Sequence, residues 1–126
     1  MKHVFSALLV GAIFASAQAH AACDYPVAPG KFPDGSQASK EEMLAAKGLV
    51  VKYNAEMDTY LGCIKTEYDA SLAGLTSPSK DQLGKLEKAQ SQKQDAALKE
   101  VTDVTERFNE QLRAWKAKNA AEKKPS

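Results

Sequence analysis

The two cysteines of this 126-residue sequence, Cys23 and Cys63, are the side chains with the most distinctive chemistry. A pair of thiols can form a disulfide, supply a nucleophile or bind a soft metal ion. A catalytic thiol needs a nearby base, and a metal site needs clustered ligands or a CxxC spacing. Neither pattern surrounds Cys23 or Cys63. The choice among the three therefore depends on the compartment in which the protein works.

The first 21 residues have the pattern of a cleaved secretory signal peptide. Lys2 provides the basic end, an apolar run follows, and Ala19 and Ala21 form a small-x-small cleavage motif. The apolar run is shorter than the ~20 residues that cross a bilayer, and no second run follows it, so we expect no transmembrane anchor. His20 stands where lipoprotein signals carry an aliphatic residue, so lipidation of Cys23 is not expected. We predict a periplasmic protein.

Export to an oxidising compartment favours a bridge between the two cysteines. Disulfides persist in such compartments, and two cysteines allow only one intramolecular pairing. We therefore predict a Cys23–Cys63 disulfide.

Composition argues against several classes of function. Removal of residues 1–21 takes away Lys2 and both histidines, so 17 basic residues become 16 against 16 acidic ones. A neutral chain of mixed charge gives no reason to expect a nucleic-acid partner. Without imidazole there is no Ser-His or Cys-His pair and no histidine metal ligand, and we expect no cofactor. Carboxylate pairs such as Glu41 and Glu42, or Asp103 and Glu106, are typical of solvated helix faces, so we do not expect an enzyme.

Residues 22–38 form a proline-rich segment without helical periodicity. Pro26, Pro29 and Pro33 each fix a backbone angle and bias the preceding residue toward extended geometry. The triplet from Pro33 through Asp34 to Gly35 predicts a turn. We call residues 22–38 the arm.

Two long helices are predicted after the arm. Ser39 and Glu42 have the spacing of a capping box, and Ser79 and Gln82 repeat it. Gly74 can cap the end of the first helix, while either Ser77-Pro78 or Ser79 can open the second. Apolar residues recur at helical spacing, which gives each helix one apolar stripe. These positions are Met43, Ala46, Val50, Tyr53, Met57, Tyr60 and Ile64, then Leu83, Leu86, Ala89, Ala97, Val101, Val104, Phe108, Leu112 and Trp115.

These stripes predict an all-α, coiled-coil-like antiparallel hairpin over residues 39–120, with a frayed tail at 121–126. A turn near residue 76 places Tyr60 opposite Ala97 and Ala46 opposite Phe108. The polar stretch AQSQKQDAA, residues 89–97, has two interpretations. It is either a weak seam with glutamine inserts or a surface left open for another protein.

The arm is long enough to carry Cys23 to Cys63. The first helix advances about 36 Å from Ser39 to Cys63, whereas sixteen steps of extended chain reach about 50 Å. The arm must then fold back along the first helix. We expect it along a stripe of small residues that includes Gly48 and Gly62, although glycines at a surface can simply be tolerated. Tyr25 and Phe32 would cover apolar surface, with Phe32 near Trp115.

The pattern from Cys23-x-x-Pro26 through Pro33-Asp34-Gly35 to Tyr60-Leu61-x-Cys63 resembles a group of small exported proteins of Proteobacteria. The similarity covers residues 23–63. It implies export and paired cysteines, and it implies no activity.

These observations favour a non-enzymatic interaction or structural module that contacts a partner protein or a second copy of itself. Tyr53, Tyr60 and Phe108 are candidate anchors for such a contact, although aromatic residues at this spacing are more often core. The alternative is a protein that binds the cell-envelope surface, either membrane or peptidoglycan-associated material. Against the membrane version, the apolar stripes are narrow and no basic face lies opposite them.

Overall fold

A computed structural model describes residues 22–123 as an antiparallel hairpin of two α-helices with an N-terminal arm. Helix α1 spans Lys40–Ala73 and helix α2 spans Lys80–Glu122. The predicted all-α hairpin is confirmed, as is the disulfide that joins the arm to α1. The predicted signal peptide, residues 1–21, and the last three residues of the predicted tail, 124–126, lie outside the described residues.

Both helices begin at the capping boxes expected from the sequence. The Ser39 hydroxyl oxygen accepts from the Glu42 backbone N–H at 3.1 Å, and Glu42 Oε2 accepts from the Ser39 N–H at 2.7 Å. Ser79 and Gln82 make the same pair of bonds. Ser79, and not Ser77, is therefore the N-cap of α2. Each box satisfies two N–H groups that a helix start leaves without partners.

The connection between the helices reverses the chain within six residues. Gly74 is the C-cap of α1 and has a right-handed backbone, with φ −76°. Ser77 takes the left-handed conformation instead, with φ 54°, immediately before Pro78. So short a turn holds the helices side by side and antiparallel.

The core lies at the end of the hairpin away from the turn. All seven apolar positions predicted on α1 from Met43 to Ile64 are buried. On α2 only Ala97, Val104 and Phe108 are buried, and no residue from 65 to 96 is. We call residues 40–64 and 97–122 the arm-covered half, and residues 65–96 the turn-end half. Apolar burial, which drives most folding, is thus concentrated under the arm.

The arm runs antiparallel to α1 and parallel to α2, as a third element beside the helix pair. Its tip is bonded to Cys63 in the C-terminal third of α1, and its last residues meet the C-terminal part of α2 around Gln111. It ends in the predicted turn, where the Asp34 carbonyl accepts from the N–H groups of Gln37 and Ala38. The Asp34 carboxylate also accepts from the N–H and hydroxyl of Ser36, so the turn is closed locally.

Candidate interaction site

The disulfide between Cys23 and Cys63, whose Cα atoms are 5.7 Å apart, fastens the arm tip to the C-terminal third of α1. The Cys23 backbone N–H donates to Glu67 Oε1 at 3.4 Å. The other oxygen of that carboxylate accepts from Lys93 on α2 at 3.2 Å. The arm and both helices therefore meet at this one carboxylate.

Beyond its tip, the arm is held mainly by polar side chains of α2. The Tyr25 hydroxyl donates to Glu100 Oε2 at 2.7 Å. The Arg107 guanidinium donates to the backbone carbonyls of Gly30 and Pro29 at 3.0 and 3.2 Å. The carbonyls of a proline-rich segment find few N–H partners within that segment. The Arg107 guanidinium therefore supplies hydrogen-bond donors that the arm lacks.

Aromatic contacts fill the space between the arm and the helices. The Tyr25 ring meets Tyr60 edge-on at 4.8 Å, and the Phe32 ring meets Phe108 edge-on at 5.6 Å. Arg107 lies 5.7 Å from the centre of the Phe32 ring, within cation–π range. Phe32 was expected near Trp115, but its direct ring partner is Phe108. Both arm aromatics pack on core rings, as their predicted role as apolar cover requires.

Gly35 brings the arm backbone into close contact with the backbone of α2. Its N–H donates to Gln111 Oε1 at 3.0 Å, and it is buried. A Cβ at this position would overlap the Gln111 carbonyl oxygen. The turn can dock here only because glycine has no side chain.

The expected path of the arm along Gly48 and Gly62 is wrong. A Cβ added to either glycine would meet nothing within 4 Å, so no backbone packs against them. The arm lies on the opposite side of Cys63, in the groove beside α2, where Glu100, Arg107 and Gln111 offer hydrogen bonds. Gly48 and Gly62 have no side chain that could offer one.

Tyr53, Tyr60 and Phe108, the candidate anchors, lie in the monomer core. Their exposed fractions are 2%, 8% and 7%. Tyr60 and Phe108 are covered by the arm aromatics, and Tyr53 is among the most buried large side chains. An exposed contact surface must be made by other residues while the arm is docked.

Burial changes the acidity of two phenols, Tyr25 on the arm and Tyr53 on α1. Partial desolvation, followed by the hydrogen bond to Glu100, raises the pKa of Tyr25 well above its usual range. Desolvation also raises the pKa of Tyr53, whose hydroxyl has no hydrogen-bond partner among the described residues. Both phenols therefore stay protonated and neutral at physiological pH.

The turn-end half offers the least-covered helix pairing of residues 22–123. Leu83 is 38% exposed, and Leu86, Gln90 and Gln94 are half-buried along the seam. A groove of about 410 Å³ runs between the helices here. Tyr68 lines it from α1, and Gln90 and Ser91 line it from α2. Residues 89–96 of the polar stretch are thus only partly covered by α1 and leave hydrogen-bonding amides at the surface, whereas Ala97 at its end is buried.

One member of each carboxylate pair considered in the sequence has a local partner. Glu42 belongs to the Ser39 capping box, which lowers the pKa of its carboxyl. Asp103 pairs with Lys99 one turn away on the same helix, and the pairing raises the pKa of Lys99. These are exposed (i, i+4) or capping contacts of the kind that stabilise helix surfaces.

Four residues that position the arm, Glu67, Glu100, Arg107 and Gln111, were missed in the sequence. Each lies on a helix between apolar positions, where charged and amide side chains are common. The spacing of apolar residues therefore gives no indication that these four contact the arm.

No family model, curated protein or solved structure matches this chain. Among residues 22–123, neither helix contains an apolar stretch long enough to cross a membrane.

Proposed function

We propose that this protein is an exported, non-enzymatic interaction module that presents the turn-end half of its hairpin to a protein partner. The observation that carries the proposal is the uneven burial along the hairpin. The arm stabilises one half, while the turn-end half has no buried residue and its seam is only half-buried. A helix pair held at one end and open at the other suits recognition by a further helix.

Two features support export to the periplasm. Residues 1–21 have the sequence pattern of a signal peptide. The Cys23–Cys63 bond is of the kind that persists in oxidising compartments. Both are traits that the resemblance to small exported proteins of Proteobacteria also implies.

The dimensions suit a spacer or a lever as well as a docking surface. At about 1.5 Å per residue, the 34 residues of α1 extend about 50 Å and the 43 residues of α2 about 65 Å. Because α1 ends ten residues after Cys63, the turn end projects about 15 Å beyond the disulfide. A partner bound there would stand clear of the arm and its core.

Site-specific photo-crosslinking in the periplasm of producing cells tests this proposal. A photoreactive residue replaces Ser91 in the turn-end groove, and in a matched variant it replaces Asn109, which is exposed on α2 in the arm-covered half. We expect discrete adducts from position 91 and none from position 109. Equal adducts from both positions, or none from either, would contradict the proposal. Light scattering after size exclusion shows whether the partner is a second copy.

A second candidate function, binding to the envelope surface, is favoured by apolar side chains on the outside of the molecule. Val27 on the arm is 88% exposed, and Leu44 and Val51 on α1 are 57% and 59% exposed. Leu44 and Val51 are seven residues apart and so share one face of the helix. Co-sedimentation with anionic vesicles tests this candidate. It requires binding that the double change Leu44→Ser and Val51→Ser abolishes.

A further inference from the structure

The arm tip brings three metal-ligand side chains together. The sulfurs of Cys23 and Cys63 and a carboxylate oxygen of Glu67 lie within 4.8 Å of one another, and all three residues are half-buried. Cys63 and Glu67 are four residues apart, so they share one face of α1 on successive turns. Cys23 reaches the same point from the arm and holds the carboxylate through its N–H at 3.4 Å.

We propose that, once the disulfide is reduced, Cys23, Cys63 and Glu67 bind a borderline-soft divalent transition metal, for which Zn²⁺ is the reference ion. A dithiol reductant supplies two electrons and two protons, the S–S bond breaks, and the reductant leaves as its own disulfide. The two thiols then release their protons as the metal binds. Two sulfurs and one oxygen occupy three positions of a tetrahedral site, and water takes the fourth.

The arm has contacts that hold the ligands in place without the disulfide. Tyr25 stays bonded to Glu100, and Arg107 stays bonded to the carbonyls of Pro29 and Gly30. In a tetrahedral zinc site, bonds of about 2.3 Å separate two sulfurs by about 3.8 Å. The Cα atoms of Cys23 and Cys63 are 5.7 Å apart, so rotation of the side chains can provide that separation.

The charges around the site and the contact of Lys93 with Glu67 also suit metal binding. Two thiolates and a carboxylate carry three negative charges, and Lys93, 3.2 Å from Glu67 Oε2, offsets one of them. The same contact orients the carboxylate and leaves Oε1 directed at Cys23, as outer-shell partners of metal ligands do. Thiolate ligands favour Zn²⁺ or Co²⁺ over Mg²⁺ and Ca²⁺.

The consequence is a second way to fasten the arm. The disulfide closes the loop from Cys23 to Cys63 under oxidising conditions, and a metal would close the same loop under reducing ones. This inference does not depend on the turn-end half or on any partner protein, so it stands or falls separately from the proposed function.

Cobalt titration of the purified secreted protein tests the site. The protein is reduced with a trialkylphosphine, which takes up oxygen from water as it delivers the electrons, and is desalted without oxygen. We expect one Co²⁺ per chain with thiolate-to-cobalt charge-transfer absorption, and no such band from the oxidised protein. Zn²⁺ should displace the cobalt and raise the melting temperature of the reduced protein.

Variants of Glu67 distinguish cobalt binding at this site from adventitious binding of cobalt to the two thiols alone. We expect Glu67→Gln to weaken cobalt binding at least about tenfold. Glu67→Asp keeps a carboxylate and should recover part of that loss. Glu106→Gln, on an exposed face remote from the tip, is the control and should leave cobalt binding unchanged. All three keep both cysteines, so melting of their oxidised forms shows that each folds. The proposal is overturned if reduced protein gives no charge-transfer band, if two chains share one cobalt, or if Glu67→Gln binds as tightly as the parent.

Discussion

Gly35 allows the arm to dock because it lacks a side chain. A Cβ there would overlap the Gln111 carbonyl oxygen, although the backbone of Gly35 is not in the left-handed region. We expect Gly35→Ala to lower the free energy of unfolding by about 1–3 kcal/mol, the usual cost of overpacking. Gly48→Ala is the matched control, because open space surrounds it within α1, and it should raise stability by up to about 1 kcal/mol. Urea unfolding measures both, and changes of the same sign would contradict this explanation.

Tyr25 makes the stability of the arm sensitive to alkaline pH. Its folded-state pKa lies above the ordinary value of 10.0, through partial burial and the bond to Glu100. The protonated phenol therefore contributes stability that is fully present below about pH 10 and is lost as pH rises toward the folded pKa. We expect Tyr25→Phe to be less stable than the parent at neutral pH and to lose less stability above about pH 10. Urea unfolding across this range tests it, and parallel pH profiles would show that Tyr25 is not responsible.

At the scale of elements, Arg107 couples the arm to α2. One side chain donates to two arm carbonyls and covers the Phe32 ring. We expect Arg107→Met to lower stability by about 1 kcal/mol, since its hydrogen bonds are solvent-exposed. Amide hydrogen exchange should become faster at Gly35, whose N–H donates to Gln111 on α2, and stay unchanged in the centre of α1. Arg113→Met, an exposed change one and a half turns further along α2, is the control, and equal effects of the two changes would argue against a specific arm contact.

At the scale of the whole molecule, the disulfide closes a loop with a sequence separation of 40 residues. The loop-entropy model gives about 4 kcal/mol for a loop of this length. We expect the double variant Cys23→Ser and Cys63→Ser to lose about that amount in urea unfolding. The secreted parent protein should show no reactive thiols before it is unfolded and reduced. A loss below about 1 kcal/mol would mean that the arm contacts alone hold the fold.

Stability should also differ between the two halves of the hairpin. The arm-covered half contains every buried residue of both helices, and the turn-end half contains none. Local opening requires little energy where few apolar contacts must break. We expect amides in residues 65–96 to exchange faster than those in residues 46–60 and 100–108. Uniform protection along both helices would contradict the assignment of the turn-end half as the open, partner-binding end.

Much of the fold could be predicted from the sequence, because it depends on residues that are close together in the chain. The 3–4 spacing from Met43 to Ile64 predicted which face of α1 is buried, because a helix repeats every 3.6 residues whatever packs on it. The capping boxes at Ser39 and Ser79 predicted both helix starts, because each involves residues only three apart. The cysteine pairing followed from having only two cysteines and from the inferred compartment.

The path of the arm depended on the assembled structure. Periodicity predicts the seam between two helices, but it does not distinguish the two sides on which a non-helical segment can lie. The side was set by hydrogen bonds that the arm donates to Glu100 and Gln111 and accepts from Arg107, three side chains that are brought together only when α2 packs against α1. The burial of Tyr60 and Phe108 followed from the same placement, because Tyr25 and Phe32 cover them. Contacts between residues some 75 positions apart leave no local pattern in a single sequence.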